Sequence, residues 1–310
     1  MTPLAAAAAV GLAAGLDWIL GEPPADYHPV ALFGRVVGVA DRSWPAPRLA
    51  GAVLAVALPA AAAGAVYGLL SAVAVALEGR PAVAAAVLAG LAGLVLWSTS
   101  SLRFLLASGR RVLERSDTDP AAAREALPAL VGRDPETMSP PLVRSAAVES
   151  LAENLSVGLV APLLAFVALS VVSLPAAAAA ATFVKAVNTM DSMVGYPGAF
   201  GWGSARLDDL VMVVPARLSA LLLGIAAGDP EAPWRARRYA RKPASPNAGW
   251  PMGTLAAALT VRLEKPGAYV LNDVAGLPTV ADGEAALAAV RRAGVVTYIL
   301  AAAVGVVRWL

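Results

Sequence analysis

Long apolar runs separated by short polar stretches set the pattern of this chain. A membrane-crossing helix needs about 20 mostly apolar residues, and residues 3–20, 49–77, 81–107, 155–174 and 293–310 each read as one. Only Glu78-Gly79-Arg80 separates the second run from the third, which predicts a tight antiparallel hairpin. Two further runs are ambiguous. Residues 175–194 begin apolar but carry Lys185, Asn188 and Asp191, and residues 211–227 are short and contain Pro215 and Arg217. Between the runs, 117–130 reads as a short helix opened by Asp119-Pro120, and 140–154 as a helix entered through Ser139-Pro140-Pro141. Residues 280–292 form an amphipathic, alanine-rich helix that leads into the last run. The pattern predicts an all-α fold: one integral membrane domain over residues 1–310, a polytopic helical bundle of about six spans plus interfacial or re-entrant helices.

Composition sharpens this picture. Hydrophobic residues make up 58% of the chain and charged residues 15%, against roughly 45–50% and about 25% in a soluble domain. Cysteine is absent and His28 is the single histidine, which excludes disulfides, thiolate metal sites, a Cys nucleophile and a multi-His zinc site. The first run has no basic leader and continues into Gly21-Glu22-Pro23-Pro24, so it reads as a retained membrane helix and not as a cleaved signal. Lys and Arg collect in cytoplasmic loops. Residues 21–48 hold three of them, 108–154 six and 228–292 nine, against one in the 78–80 hairpin. The expected topology is a multi-pass cell-membrane protein with 21–48, 108–154 and 195–292 in the cytoplasm, both termini outside and 211–227 re-entrant or interfacial. A topology in which 211–227 spans obeys the charge rule equally well, but the first places all the polar motifs on one side.

Polar residues at membrane depth are costly and tend to be functional. Five clusters qualify, and each also has a purely structural explanation. Asp17, Glu22 and His28 surround the end of the first run, where an interfacial turn would explain them as well. Glu149 and Glu153 share a helix face, with Asn154 and Ser156 following; a solvated face is the alternative. Lys185, Asn188 and Ser192 lie on one stripe flanked by Asp191. A Lys–Asp pair would ease insertion, but four polar groups exceed that need. Arg206, Asp208 and Asp209 precede Arg217; paired aspartates suit Mg2+ or a helix N-terminus. Ser245-Pro246-Asn247-Ala248-Gly249-Trp250-Pro251 follows a basic run, Arg235 to Lys242, that also fits a lipid-binding or topology signal. Together the clusters offer carboxylates for a metal, cations for phosphate and amides for orientation, as phosphoryl or acyl-phosphate chemistry requires. No P-loop, G-x-S-x-G elbow or H-E-x-x-H motif is present.

At these residues the chain resembles the CobD/CbiB family, the adenosylcobinamide-phosphate synthases of cobalamin biosynthesis. The resemblance rests on Leu16-Asp17, Gly21-Glu22-Pro23-Pro24 and His28-Pro29-Val30, then on Ala147 to Ser156. It continues through Lys185 to Tyr196, Phe200-Gly201-Trp202 and Ala205 to Asp209, and ends with Pro215-Ala216-Arg217-Leu218 and Ser245 to Pro251. These motifs occur in family order along almost the whole chain. Three positions depart from the family pattern: Val157 and Met252 stand where Asp and Glu are usual, and Pro243 where His is frequent. The link from Tyr196 to Phe200 is also shortened. The departures bear on a metal ligand or a proton-transfer group, not on the fold.

The resemblance implies a ligase that uses ATP and Mg2+ to join adenosylcobyric acid, a corrinoid, to aminopropanol phosphate or a close amino-alcohol phosphate. ATP would first convert the carboxylate to an acyl phosphate, and a free amine would then attack. It further implies catalytic roles for His28, Glu149, Glu153, Asn154 and Asp191. Lys185, Asn188, Arg206, Arg217, Ser245, Asn247 and Trp250 would bind substrate, and Glu153, Asp191, Asp208 and Asp209 would supply metal ligands. Membrane lipid and other late cobalamin-pathway membrane enzymes are the expected partners; nucleic acid is not. Two other readings stay open. Asn188, Asp191, Asp208 and Asp209 would also serve a Mg-dependent membrane transferase acting on a diphosphate. A non-enzymatic membrane sensor or transport relative of the family would leave the carboxylates scattered.

Overall fold

The computed structural model describes residues 3–131 and 136–307. Gly132 to Pro135, inside the basic 108–154 stretch, and the last three residues of the expected final span lie outside the described residues. The predicted runs become helices: α1 Pro3–Leu20, α2 Pro29–Ala40, α3 Pro47–Ala76, α4 Pro81–Thr99, α5 Leu102–Arg115, α6 Pro120–Ala126, α7 Pro140–Leu155, α8 Ala161–Leu169 and α9 Leu174–Val194. Then come α10 Trp202–Val211, α11 Val213–Ala226, α12 Ala232–Ala236, α13 Gly249–Ala258 and α14 Val280–Val307. The one sheet among the described residues is a hairpin of β1 Leu263–Lys265 and β2 Tyr269–Leu271, pairing Glu264 with Val270. The protein is an all-α membrane bundle. Pro47–Ala76, Pro81–Arg115, Pro140–Leu169 and Val280–Val304 are long and apolar enough to cross a membrane, and α10 with α11 would add a fifth if read as one span. Leu4–Leu20 is a shorter apolar helix, and α9 reaches 21 residues with Lys185 and Asp191 inside it.

Three boundaries differ from the sequence reading, each for a local reason. The expected span 81–107 lies within the apolar Pro81–Arg115 stretch, which runs on to Arg115 and is interrupted at Ser100-Ser101. There Ser98 and Thr99 donate their hydroxyls to Val95 and Leu96 carbonyls at 2.9 Å, and Ser100 also donates to Leu96; such local bonds compete with helix continuation. Helix α7 does not stop before the expected 155–174 span. It continues through a π-helical turn, Ser156–Val160, directly into α8, and such turns concentrate at functional sites. Finally, α2 lies where a loop was expected. Pro29 occupies its first turn, and the His28 imidazole caps it by accepting the Val30 N–H at 3.2 Å.

The chain divides into two compact units. The first comprises Met1–Ser101, Ala161–Val211 and Thr297–Leu310. Helix α9 is its hub, packing against α2, α3, α4, α8 and α10, while α1 lies on α4. Val37, Ala55, Met190 and Val194 form a buried cluster with Phe33, Leu54, Leu58 and Phe200 around it. Small residues set the α3–α10 approach. A Cβ on Gly203 would lie 2.5 Å from the Ala52 Cα, and one on Gly51 would run into the Phe200 carbonyl. The second unit comprises Leu102–Val160 and Met212–Val296. Helix α7 is central here, against α5, α6, α13 and β1, and α13 also carries α11 and α12. The α7 N-terminal half is tied down by the buried Arg144, which donates to the Pro278 carbonyl at 2.7 Å and pairs with Asp117.

Two predictions follow from this packing. Gly203→Ala must push α10 off α3 and should destabilise the protein by about 1–3 kcal/mol. Gly64→Ala, in an open part of α3 with nothing within 4 Å of a new Cβ, should be neutral or stabilising by up to about 1 kcal/mol. Thermal unfolding of the two purified variants checks this; equal effects would contradict the close approach. The second concerns the α2 cap. Burial lowers the His28 pKa from its usual 6.5; Glu22 opposes the shift and Lys185 adds to it. The unfolded chain therefore binds more protons at this site, so its contribution is complete above pH 6.5 and is lost as pH falls towards the lowered folded value. Asn caps without titrating. The midpoint of wild type should thus drop more than that of His28→Asn between about pH 7.5 and 5, whereas parallel pH profiles would reject the assignment.

Candidate functional site

In the first unit, α9 and the turn before α2 bring Lys185 and His28 into one cavity of about 410 Å3, together with Glu22. The sequence folds this way because α1 ends at Leu20, Gly21 takes a left-handed conformation (φ 77°), and the turn is pinned when Trp97 donates to the Gly21 carbonyl at 2.7 Å. The end of α4 supplies a further wall, Ser98–Ser101. Among the described residues no hydrogen bond or ion pair holds the Lys185 ammonium; Glu22 is the charged group that acts on it electrostatically. His28 Nδ1 is occupied by the Val30 N–H, so the neutral ring carries its proton on Nε2.

The carboxylates lie on the neighbouring elements of the same unit. Asp191 sits in the last turn of α9, and its Oδ1 is buried without a hydrogen-bond partner. Gly195 makes room for it: a Cβ there would collide with Asp191 Oδ1. Asp209 on α10 is near enough to couple electrostatically to Asp191 and receives Arg206 at 3.3 Å. Asp208 precedes it on α10. Asn188 offers its backbone carbonyl to the Ser192 hydroxyl at 2.9 Å. Among the described residues no three His, Asp or Glu side chains gather as a metal cluster. The donor set still fits Mg2+, which uses one or two carboxylates and takes its other ligands from water and phosphate. Asp191, with its unsatisfied buried oxygen, and Asp209 are the residues that would hold it.

The second unit carries the remaining candidates in two groups. On α7, Glu149 is 2% exposed and accepts hydrogen bonds from Ser145 Oγ at 3.0 Å and Tyr269 Oη at 2.8 Å. Glu153, one turn on, is half-buried, and Asn154 reaches the Leu130 carbonyl at 3.4 Å. The unpartnered Ser156 hydroxyl opens the π-helical turn. Met252, at a departure from the family pattern, is buried with its sulfur 3.8 Å from Tyr269 Oη. A thioether there accepts weakly and carries no charge, so Glu149 keeps Tyr269 without a competing carboxylate. The second group joins two sequence motifs. The Arg217 guanidinium donates to Asn247 Oδ1 and to the Val213 carbonyl, and lies 5.1 Å from the Trp250 ring centroid. Ser245 Oγ accepts the Asn247 N–H at 3.2 Å, fixing the turn that presents Asn247 and Trp250.

Within each unit, then, residues far apart in sequence converge: His28 with Lys185, Asp191 with Asp209, and Arg217 with Asn247 and Trp250. Glu22 belonged to a candidate cluster but was given no role, and Ser98–Ser101 and Tyr269 were not among the sequence candidates. Ser98–Ser101 had a visible signal, four consecutive hydroxyls interrupting an apolar run. Tyr269 had none, because its partner Glu149 is 120 residues away.

The comparisons with known proteins agree on one family. The family model described as CobD/Cbib protein matches residues 10–297. A protein of Methanothrix thermoacetophila named probable cobalamin biosynthesis protein CobD is 36% identical over 308 residues, covering 94% of each chain. The cobalamin biosynthesis protein CobD of Rhodobacter capsulatus is 38% identical, over 93% of each chain. That of Mycobacterium tuberculosis is 39% identical, over 96% of this chain and 94% of its own. No solved structure matches. With a family match over nearly its full length and relatives covered over more than nine tenths of their own, this chain belongs to the CobD/CbiB family.

Proposed function

We propose that this protein acts in cobalamin biosynthesis as an adenosylcobinamide-phosphate synthase, joining adenosylcobyric acid to aminopropanol phosphate, or a close amino-alcohol phosphate, with ATP. The names of its relatives support the pathway, and the retained polar motifs support the step. The observation that carries the reading is the Lys185 ammonium, held in a cavity without an ion pair beside His28. A cation so placed calls for an anionic ligand, and phosphate is the anion this reaction brings.

A carboxylate and an amine do not condense unaided. Transfer of a phosphoryl group from ATP to the corrinoid carboxylate gives an acyl phosphate and ADP. The amine nitrogen then attacks the acyl carbon, the bond to the phosphate oxygen breaks, phosphate leaves and the nitrogen loses a proton. Mg2+, when bound at Asp191 and Asp209 with Asp208 adjacent, would offset phosphate charge. Lys185 binds phosphate as a point charge, and His28 offers its Nε2–H as a second donor. Arg217, pre-positioned by Asn247 and stacked on Trp250, is a donor fork suited to a phosphate or carboxylate, with Ser245 setting the turn. Arg206 balances Asp209 and can turn to phosphate, while Asn188 adds an amide to the Lys185 stripe. The second unit offers its own candidates on α7, Glu149, Glu153 and Asn154, with the half-buried Glu153 suited to accept a proton. In this reading the active site faces the cytoplasm, where ATP is available.

Purified wild-type protein should form adenosylcobinamide phosphate from the three substrates, and Asp191→Asn should lose roughly 100-fold or more of that rate while keeping its helical signal and membrane insertion. Near-normal turnover of Asp191→Asn would reject its role.

A further inference from the structure

A separate cavity, of about 250 Å3, lies in the second unit between α5 and the first half of α14. None of the sequence motifs contributes to it. Its floor is apolar, with Leu106 and Leu287, and its rim is charged, with Arg110, Glu114, Glu284 and Arg291. These residues sit on the polar ends of two stretches long and apolar enough to cross a membrane, Pro81–Arg115 and Val280–Val304. The cavity is therefore placed where lipid meets water. Glycines let the two helices touch. A Cβ on Gly283 would lie 2.5 Å from a Leu113 methyl, and one on Gly294 would lie 2.6 Å from a Leu102 methyl. The two contacts are equally spaced on both helices, and later residues of α14 meet earlier residues of α5, so the pair is antiparallel. That register ranks the charges by depth. Arg291 falls level with Leu105, Arg110 with Ala286, Glu284 with Val112 and Glu114 with Asp282. The arginines are on the membrane side and the glutamates on the water side.

Side-chain direction adds to this segregation. Cα–Cβ bonds tilt towards a helix N-terminus. The N-terminus of α5 faces the membrane and that of α14 faces water, so Arg110 leans inwards, Arg291 leans outwards, and the two guanidiniums approach one level. Two cations at one level favour an anion between them, and guanidinium forks match phosphate oxygens. Arg110 pairs with Glu114 at 3.9 Å, but both side chains are about two thirds exposed, and such a pair adds little stability. Among the described residues Glu284 and Arg291 make no hydrogen bond or ion pair. A matching ligand carries phosphate on its membrane side, a primary ammonium on its water side and acyl chains below. Helix α14 continues on the face of Arg291 with Val295 and Ile299, which are 41% and 60% exposed and apolar. We infer that this cavity binds the headgroup of phosphatidylethanolamine, with the phosphodiester at Arg110 and Arg291 and the ammonium at Glu284 and Glu114. Phosphatidylglycerol brings no cation to the glutamates, and the trimethylammonium of phosphatidylcholine has no N–H to donate. The cavity lies just below the roughly 300–1,000 Å3 of small-molecule sites, a size that suits a headgroup. The inference does not depend on the ligase reading.

The test is titration of the delipidated full-length protein in detergent with phosphatidylethanolamine, phosphatidylglycerol or phosphatidylcholine of identical acyl chains, read by native mass spectrometry. Wild type should bind phosphatidylethanolamine at least about fivefold more tightly than either of the others. Arg291→Gln should weaken phosphatidylethanolamine and phosphatidylglycerol alike by at least about fivefold. Glu284→Gln should remove the preference for phosphatidylethanolamine and leave phosphatidylglycerol no weaker. Both positions are exposed, so the variants keep the fold. The neighbouring Arg292 donates to the Ala288 carbonyl at 3.2 Å and does not line the cavity, so Arg292→Gln should keep the wild-type preference. Three results would overturn the inference: no lipid preference in wild type, wild-type binding by Arg291→Gln or Glu284→Gln, or an equal loss in Arg292→Gln, which would mark diffuse surface charge. Phosphoethanolamine without acyl chains shares the headgroup chemistry and supplies the last arm. At millimolar concentration it should leave the bound lipid in place. Full displacement would assign the cavity to a soluble phosphoamine and overturn the lipid reading.

Discussion

A lysine ammonium on an apolar helix is the constraint around which the first unit is arranged. Helix α9 contacts α2, α3, α4, α8 and α10, and it needs apolar side chains such as Met190 and Val194 to do so. Lys185 on that helix cannot join the apolar contacts. The structure accommodates it by leaving a cavity where α9, the end of α4 and the turn before α2 meet. That turn is held by the Trp97 bond to Gly21 and by the His28 cap on α2. The polar cavity and the apolar hub are therefore one design problem. The helix that organises the packing also carries Lys185, Asn188 and Asp191, so the site geometry inherits the rigidity of the bundle.

The second unit solves a different problem, the burial of a carboxylate. Glu149 lies within α7, and burial of a charge is tolerated when donors satisfy it. Ser145 supplies one from the preceding turn, and Tyr269 supplies the other from the β-hairpin. Ser145 also accepts the Glu264 N–H at 2.7 Å, so the same two residues that satisfy Glu149 anchor β1 and β2 to α7. This explains why a small hairpin persists in an otherwise helical protein. It also gives Met252 a physical context: the position contacts Tyr269, so a charge there would act on Glu149 through one shared hydroxyl.

Much of the bundle was legible in the sequence because lipid-solvated helices announce themselves by apolar length. The hairpin of α3 and α4, the short helix at 120–126, and the run of α14 from an amphipathic start all appear where the pattern put them. The helix α2 was not legible. Its residues belong to a motif rich in Pro and small residues, and its start depends on a histidine cap visible only in three dimensions. The π-helical turn after Glu153 was hidden for a similar reason, since one extra residue per turn leaves no mark on composition. Of the site, residue types could be read, because Lys185, Asp191 and Asp209 are conspicuous among alanines and valines. Their partners could not. Glu22 and the Ser98–Ser101 hydroxyls meet Lys185 only after three separate elements have packed.

The central claim is that the Lys185 ammonium is answered by a ligand and not by the protein. A partly buried charge with no hydrogen bond or ion pair, acted on only through space by Glu22, destabilises the unliganded fold, so Lys185→Met, which keeps the length of the stem and removes the charge, separates the two cases. Thermal unfolding of purified Lys185→Met, with and without aminopropanol phosphate, is the measurement. The account predicts an unliganded midpoint at or above that of wild type, together with loss of the stabilisation that the ligand gives wild type. A lower unliganded midpoint with ligand stabilisation intact would show that Lys185 serves the fold, and would contradict the account.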